Sequence, residues 1–391
     1  MTLRSISRIA FVTAIIAAFT ILSPAQDFPT ARLLSSGTVT VTPTLTITDE
    51  ALPEDAFLQN PYAVAFSPEG HVYVSDYGAN HIKHFDAAGR FLGAIGRKGS
   101  GPGDLSSPGY IAAGAGRVCV WEPGNRRFSL FSAAGEFVKT FPLLPNFNRV
   151  LKVRILPDGR IAILAVRDDF ADKENSQVGA ILIHAPDDGS WNTAYERRIE
   201  IWNRITEPVH MSVPLPLNPK ICWDVLPDGR LVVGYPATYE LEILDLDKGQ
   251  RTVFDTEYKP VAVTAEDKEN HFASMTVAII GADGSVSRKS GAPDYIVSNT
   301  SFPKNKPAFR DIISDDEGTI WVEPYLQNRS DEGKVFDALL PDGTFIRGIR
   351  ITGGGAFPRY ERSSSIVHRT FWRIETGEDG YSKIIRYKIG G

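Results

Sequence analysis

Cysteine, methionine and histidine are scarce in this 391-residue chain, which has 2 Cys, 3 Met and 7 His. Cys119 and Cys222 lie far apart, each inside an apolar run. That excludes a disulfide scaffold and reads as two buried free thiols. Positive charge is not in excess either. The net charge is −5, which gives the chain no electrostatic claim on nucleic acid. Self-contained catalytic and ligand motifs are missing too. There is no nucleophile elbow. "GRKGSGPG", Gly96 to Gly103, lacks the Walker spacing and does not lead from strand to helix, so it reads as a connecting link. His81 and His84 are three apart on a strand and point to opposite faces, so they cannot share a metal. The acidic loop "RDDFADKEN", Arg167 to Asn175, lacks the alternating acids, central Gly and closing Glu of an EF-hand. No cofactor is expected, and Ca2+ is the one ion that loop would suit.

Long apolar runs are confined to the beginning. Arg4 and Arg8 precede an uncharged stretch from Ile9 to Leu22, followed by the small residues Ser23-Pro24-Ala25. This has the form of a secretory signal, and the stretch is short for a membrane span. Cleavage after Ala25 is expected, leaving Gln26 first, a short linker 26–37, and a periplasmic or extracellular chain that is more acidic still.

What the chain has in abundance is repetition. "VSDYGANHIKHFDAAGRFLGAI", Val74 to Ile95, returns 46 residues later as "VWEPGNRRFSLFSAAGEFVKTF". Asp76 becomes Glu122, Gly78 becomes Gly124, Gly89 becomes Gly135 and Phe91 becomes Phe137. A tight Gly turn followed by a strand recurs in "PEGHVYVSD", "GAGRVCVWE", "PDGRIAILA", "PDGRLVVGY" and "DEGTIWVEP", and a degenerate sixth copy begins at Arg369. Each unit reads strand, Gly turn, strand, polar loop, strand, Gly turn, strand, with strands apolar on both faces. A four-stranded meander of this kind repeated around an axis is a β-propeller. The expected fold is all-β: one six-bladed propeller over 38–391, with an insertion at 264–306. "TVTVTPTLTI", Thr38 to Ile47, has no partner of its own and the last unit ends one strand short, so the first strand is expected to complete the last blade. Thr264 followed by Ala-Glu-Asp looks like a helix start. The hairpin "VAIIGADGSVSRK" that follows is the alternative source of a seventh blade.

The stretch "VSDYGANHIKHFDAAGRFLGAIGRKGSGPGDLSSP" resembles NHL repeats and the exported bacterial six-bladed propellers related to them, and "FPKNKPAFRDIISDDEGTIWV", Phe302 to Val322, looks like a late blade of that group. Blades three and six match weakly, and Glu122 stands where the repeat has Asp. The resemblance implies a fold and leaves the activity open.

Strand parity places all Gly turns on one face and all inter-blade links on the other. The link face is the richer, carrying Tyr62, Tyr77, Tyr110, Glu122, Arg126, Arg149, Lys220 and Arg310. Tyr62, Tyr110, Arg149, Lys220 and Arg310 lie at or near the starts of innermost strands and are expected to ring the axial mouth, where tyrosines and cations suit interface anchors or an anionic group. Asp76 and Asn80 read as loop-holding residues, since short polar side chains beside a turn bond its backbone. The favoured function is a monomeric, exported propeller that binds a protein, peptide or glycan through its link face. The alternative is a divalent-metal-dependent, lactonase- or lyase-like enzyme whose axial site, drawn from several blades, would leave no local motif.

Overall fold

A computed structural model of the chain describes residues 33–34, 36–168, 176–200, 202–205, 211–280, 286–325, 334–353, 366–378 and 380–390. The expected export signal, and most of the acidic loop, lie outside the described residues.

Four successive four-stranded antiparallel sheets follow the meander order. In the first, Pro61–Phe66, Val72–Asp76, His81–Phe85 and Phe91–Ile95 pair in turn. The second runs from Ile111–Gly114 to Phe137–Pro142, the third from Arg149–Ile155 to Trp191–Glu200, and the fourth from Cys222–Val225 to Gln250–Asp255. A further meander, Phe309–Ser314 to Phe345–Thr352, continues into a seven-stranded sheet. The turn glycines Gly70, Gly116, Gly159, Gly229 and Gly318 have φ between +69° and +90°, a region closed to most L-residues, which is why the sequence keeps Gly at these hairpins.

The N-terminal strand Thr38–Ile47 pairs antiparallel with the C-terminal strand Ser382–Gly390, Thr40 opposite Gly390 and Ile47 opposite Ile384. It also pairs in parallel with the preceding meander, Thr38 to Thr40 opposite Arg350 to Thr352. This second pairing joins two meanders into one seven-stranded sheet, a contact that the repeat pattern does not anticipate.

Hydrophobic clusters lie between sheets. Ala63, Tyr73 and Ile82 of the first sheet share a cluster with Ile111, Val118 and Phe131 of the second. Cys119, Phe128 and Leu130 of the second pack with Val153, Ile163 and Leu182 of the third. Leu164 and Ile181 of the third meet Trp223, Leu231 and Val233 of the fourth. Val232 and Leu241 of the fourth meet Phe309, Ile312 and Val322. Trp321, Phe336 and Ile349 then meet Val39, Phe371 and Tyr387. Ile47, Trp372 and Ile384 pack against Val64, Val72 and Val74 of the first sheet.

The segment 264–306 holds both complete α-helices among the described residues, Ala265–Ala273 and Asp294–Asn299. Thr264 and Asp267 form the capping box that the sequence suggests. Thr276–Ile280 and Val286–Ser290 make a separate two-stranded sheet and join none of the four-stranded ones. The second helix packs through Ile296 on the extra hairpin of Trp202–Ile205 and Met211–Pro214, at Ile205 and Val213.

Deleting Thr38–Ile47 exposes the edges of two strands at once. The truncated protein is expected to aggregate on light scattering where the full-length mature chain does not. A truncated protein that stays soluble and keeps its melting temperature would show that this strand is dispensable.

Candidate functional site

The link face is built on acids that hold backbone. Asp76, fully buried at the end of the second strand of its sheet, accepts hydrogen bonds from the N–H groups of Gln59 and Asn60 at 2.9 Å each and from Ala79 at 3.1 Å. Lys83, also buried, lies 3.7 Å from it. In the second sheet Glu122 accepts from the Ser106 N–H at 2.9 Å, and also binds Asn125, Arg127 and Ser129. Each acid thus ties the incoming link to the loop beside it, Asp76 through backbone N–H groups and the longer Glu122 mainly through side-chain donors. Asn80, at φ +58°, accepts from the Ser107 N–H at 2.9 Å. The recurring acid is structural, and the link is a fixed platform.

On this platform lies a cavity of about 280 Å3. Tyr110, Arg149 and Lys220 line it together with Gln177 and Asn218, above walls formed by Leu151, Leu164, Val166, Ile199, Leu215 and Ile221. Of the five residues singled out in the sequence, three therefore meet in one cavity. Tyr62 stands beside it, its ring edge-on to Tyr110 at 5.3 Å. Arg310 does not line it, and stacks instead on Tyr325, 3.6 Å from the ring centroid. Tyr77 packs obliquely on Tyr62.

Arg149 is held from behind. Its Nη2 donates to Gln177 Oε1 at 2.6 Å, and Gln177 Nε2 donates to Asp168 Oδ1 at 2.6 Å. Asn148 Nδ2 donates to the other oxygen of Asp168 at 2.7 Å. Gln177 is only 5% exposed. Sequence reasoning missed this orienting role because the acidic loop around Asp168 lacks an EF-hand pattern and reads as a solvated loop. The Pro-rich stretch before Lys220 supplies Pro214 and Leu215 to the cavity wall.

Strand Arg149–Ile155 carries Arg149 and Leu151 in this cavity and Arg154 and Ile155 in a second one, of about 320 Å3, on the Gly-turn face. Between them Lys152 is buried, its Nζ 2.5 Å from the Trp223 carbonyl and 3.3 Å from Asp224 Oδ1. Arg154 Nε binds the same Asp224 oxygen at 2.8 Å, and the Ser314 N–H donates to the other at 3.0 Å. Burial, aided by the Arg154 charge, pulls the Lys152 amine down to about 8. Burial works against ionisation of Asp224, but Arg154, Lys152 and the Ser314 N–H outweigh it and hold its carboxyl below the ordinary range. Asp224 therefore stabilises the fold at neutral pH, and this contribution is lost as pH falls through its lowered pKa.

Cys119 and Cys222 are buried free thiols, and burial raises both pKa values. Among the described residues no three His, Cys, Asp or Glu side chains gather as a metal-ligating group. None of the helices described is long and apolar enough to cross a membrane.

No protein-family model matches the chain, and no curated protein matches its sequence. Solved structures do resemble it. A member of the DUF4221 family from Bacteroides vulgatus has a TM-score of 0.45 at 14% identity, over 91% of this chain and 99% of that one. Virginiamycin B lyase from Staphylococcus aureus has 0.40 at 14%, over 90% and 99%. The calcium-binding protein regucalcin from Agrobacterium tumefaciens has 0.40 at 14%, over 89% and 96%. Its structural neighbours are β-propeller-like proteins. No activity is carried over from any of them.

Asp224→Ala strands the buried Lys152 and the partly buried Arg154, and urea denaturation should show a loss of about 3–5 kcal/mol. Lys152→Met removes a buried charge while leaving Asp224 bound to Arg154 and Ser314, and should change stability much less. Equal losses in the two variants would show that the lysine, and not the shared carboxylate, organises the cluster.

Proposed function

We propose that the chain is an exported six-bladed β-propeller that binds an anionic protein, peptide or glycan partner through its link face. The ring reading is supported by the order of the shared cores, which pass from each sheet to the next and return from Trp372 and Ile384 to the first sheet. In this reading the domain spans 38–391 with its insertion at 264–306, and Thr38–Ile47 serves as the outer strand of the last blade. The likeness of the repeats to NHL units belongs to the same proposal. Export to the periplasm or beyond rests on residues 1–25, with a monomer as the working unit.

One observation carries the binding reading: Tyr110, Arg149 and Lys220, from three different sheets or their links, line the same cavity on the face where the links are pinned. A planar guanidinium held in place and a second cation beside an aromatic ring suit an anionic group, which each can meet with charged hydrogen bonds. The alternative, a metal-dependent lactonase- or lyase-like activity at the axis, requires a bound divalent ion, and elemental analysis of the purified protein separates the two.

The mature chain should bind anionic members of a glycan array or an acidic-peptide library. Arg149→Ala with Lys220→Ala should abolish that signal, each lost charged hydrogen bond weakening binding by about 1.5–3 kcal/mol, while the melting temperature stays near that of the parent. A folded double variant that binds as well as the parent places the site elsewhere.

A further inference from the structure

The walls of the link-face cavity say more than its rim. Leu151, Leu164, Val166, Ile199, Leu215 and Ile221 offer only hydrocarbon to whatever enters, and the hydrogen-bonding side chains of the lining are those of Tyr110, Arg149, Gln177, Asn218 and Lys220. A sugar ring or a polyanion placed there would turn hydroxyls or charges against these walls and leave them unsatisfied. The positive charge of the lining comes from Arg149 and Lys220 alone. Arg149 is oriented through buried Gln177, and Asp168 behind that glutamine offsets part of the positive charge. This balance favours one negative charge over two. With a volume of about 280 Å3, the cavity lies just below the usual range for ligand pockets, about 300–1,000 Å3, which suits a small ligand.

Resting on the reading that the link face binds an anionic partner, we propose that this cavity takes a carboxylate with a medium-length apolar tail, the carboxylate between Arg149 and Lys220 and the tail against the leucine and isoleucine walls. The guanidinium fork accepts the carboxylate oxygens side by side, and the tail gains from every methylene removed from water. The same chemistry is offered by a free acid or by a peptide ending in an apolar residue.

Isothermal titration calorimetry of the full mature chain tests this with hexanoate, octanoate, 1-octanol and octylammonium, all below their aggregation concentrations. Each buried methylene should tighten binding about fourfold, so octanoate, with two more methylenes, should exceed hexanoate by about fifteenfold. Octanol and octylammonium should each bind at least tenfold more weakly than octanoate. Leu151→Trp, which fills the cavity and keeps both cations, should weaken octanoate at least tenfold; should that variant fail to fold, Leu215→Trp on the connecting segment serves the same purpose. N-acetyl-glycyl-leucine and its C-terminal amide distinguish the source. If the peptide acid binds more tightly than octanoate and its amide does not bind, the ligand is a peptide terminus; if octanoate binds more tightly, it is a free acid. Octanoate binding no better than hexanoate or octanol overturns the proposal. If acidic array members are still bound by the parent in that case, only this inference falls and the broader reading of the link face stands; if the array signal is absent as well, both fall.

Discussion

A β-sheet with apolar side chains on both faces has no stable existence in water until both faces are covered. Each four-stranded meander in this protein is such a sheet. In the first, Val72–Asp76 is buried along its whole length, with Val72 and Val74 in one cluster and Tyr73 in another. Neither cluster belongs to that sheet alone. Each is completed by a neighbour, so folding is cooperative between sheets, and the burial of Trp223, Trp321 and Trp372 is achieved only when adjacent units are in place. The edge strands show the converse: Gln250–Asp255 is largely exposed and polar, and no strand among the described residues pairs beyond it.

The connecting segments send Leu105, Leu143 and Phe147 into these cores, but their backbone groups must be fixed by other means. Polar side chains do this. Asp76 and Glu122 spend their oxygens on link backbone and nearby donors, and Asp224 joins the inner strands of three consecutive meanders through Lys152, Arg154 and the Ser314 N–H. Such groups are costly to bury and are tolerated only when fully paired. Their result is a rigid rim. The cavity of Tyr110, Arg149 and Lys220 inherits that rigidity, since Arg149 opens the same strand that carries Lys152 and Arg154.

Much of this was legible in the sequence for a local reason. Gly turns need positive φ, strand parity follows from a meander, and the Thr264 capping box lies within four residues, so all three leave short-range patterns. Parity also sufficed to assign Tyr110, Arg149 and Lys220 to one face. What stayed hidden depends on partners far apart in the chain. Lys152 and Arg154 meet Asp224 across about 70 residues, and nothing near any of them marks the pair. The parallel contact of Thr38–Thr40 with Arg350–Thr352 was hidden because the repeat specifies partners within a unit and not between units. Arg310 was grouped with the others by strand parity and its place at a strand start, and its stacking on Tyr325, the residue just after strand Ile320–Pro324, leaves no pattern in the sequence. The orienting function of Gln177 was masked by its own neighbourhood, an acidic loop that reads as solvated surface.

A crystal structure of the mature chain soaked with octanoate tests most directly whether the rigid link face was shaped around a ligand. The carboxylate is expected within about 3 Å of the Arg149 guanidinium and the Lys220 amine, with the tail against Leu151, Leu164 and Ile221 and no movement of the links held by Asp76 and Glu122. Octanoate found in the opposite cavity beside Arg154, or nowhere at saturating concentration, would contradict it.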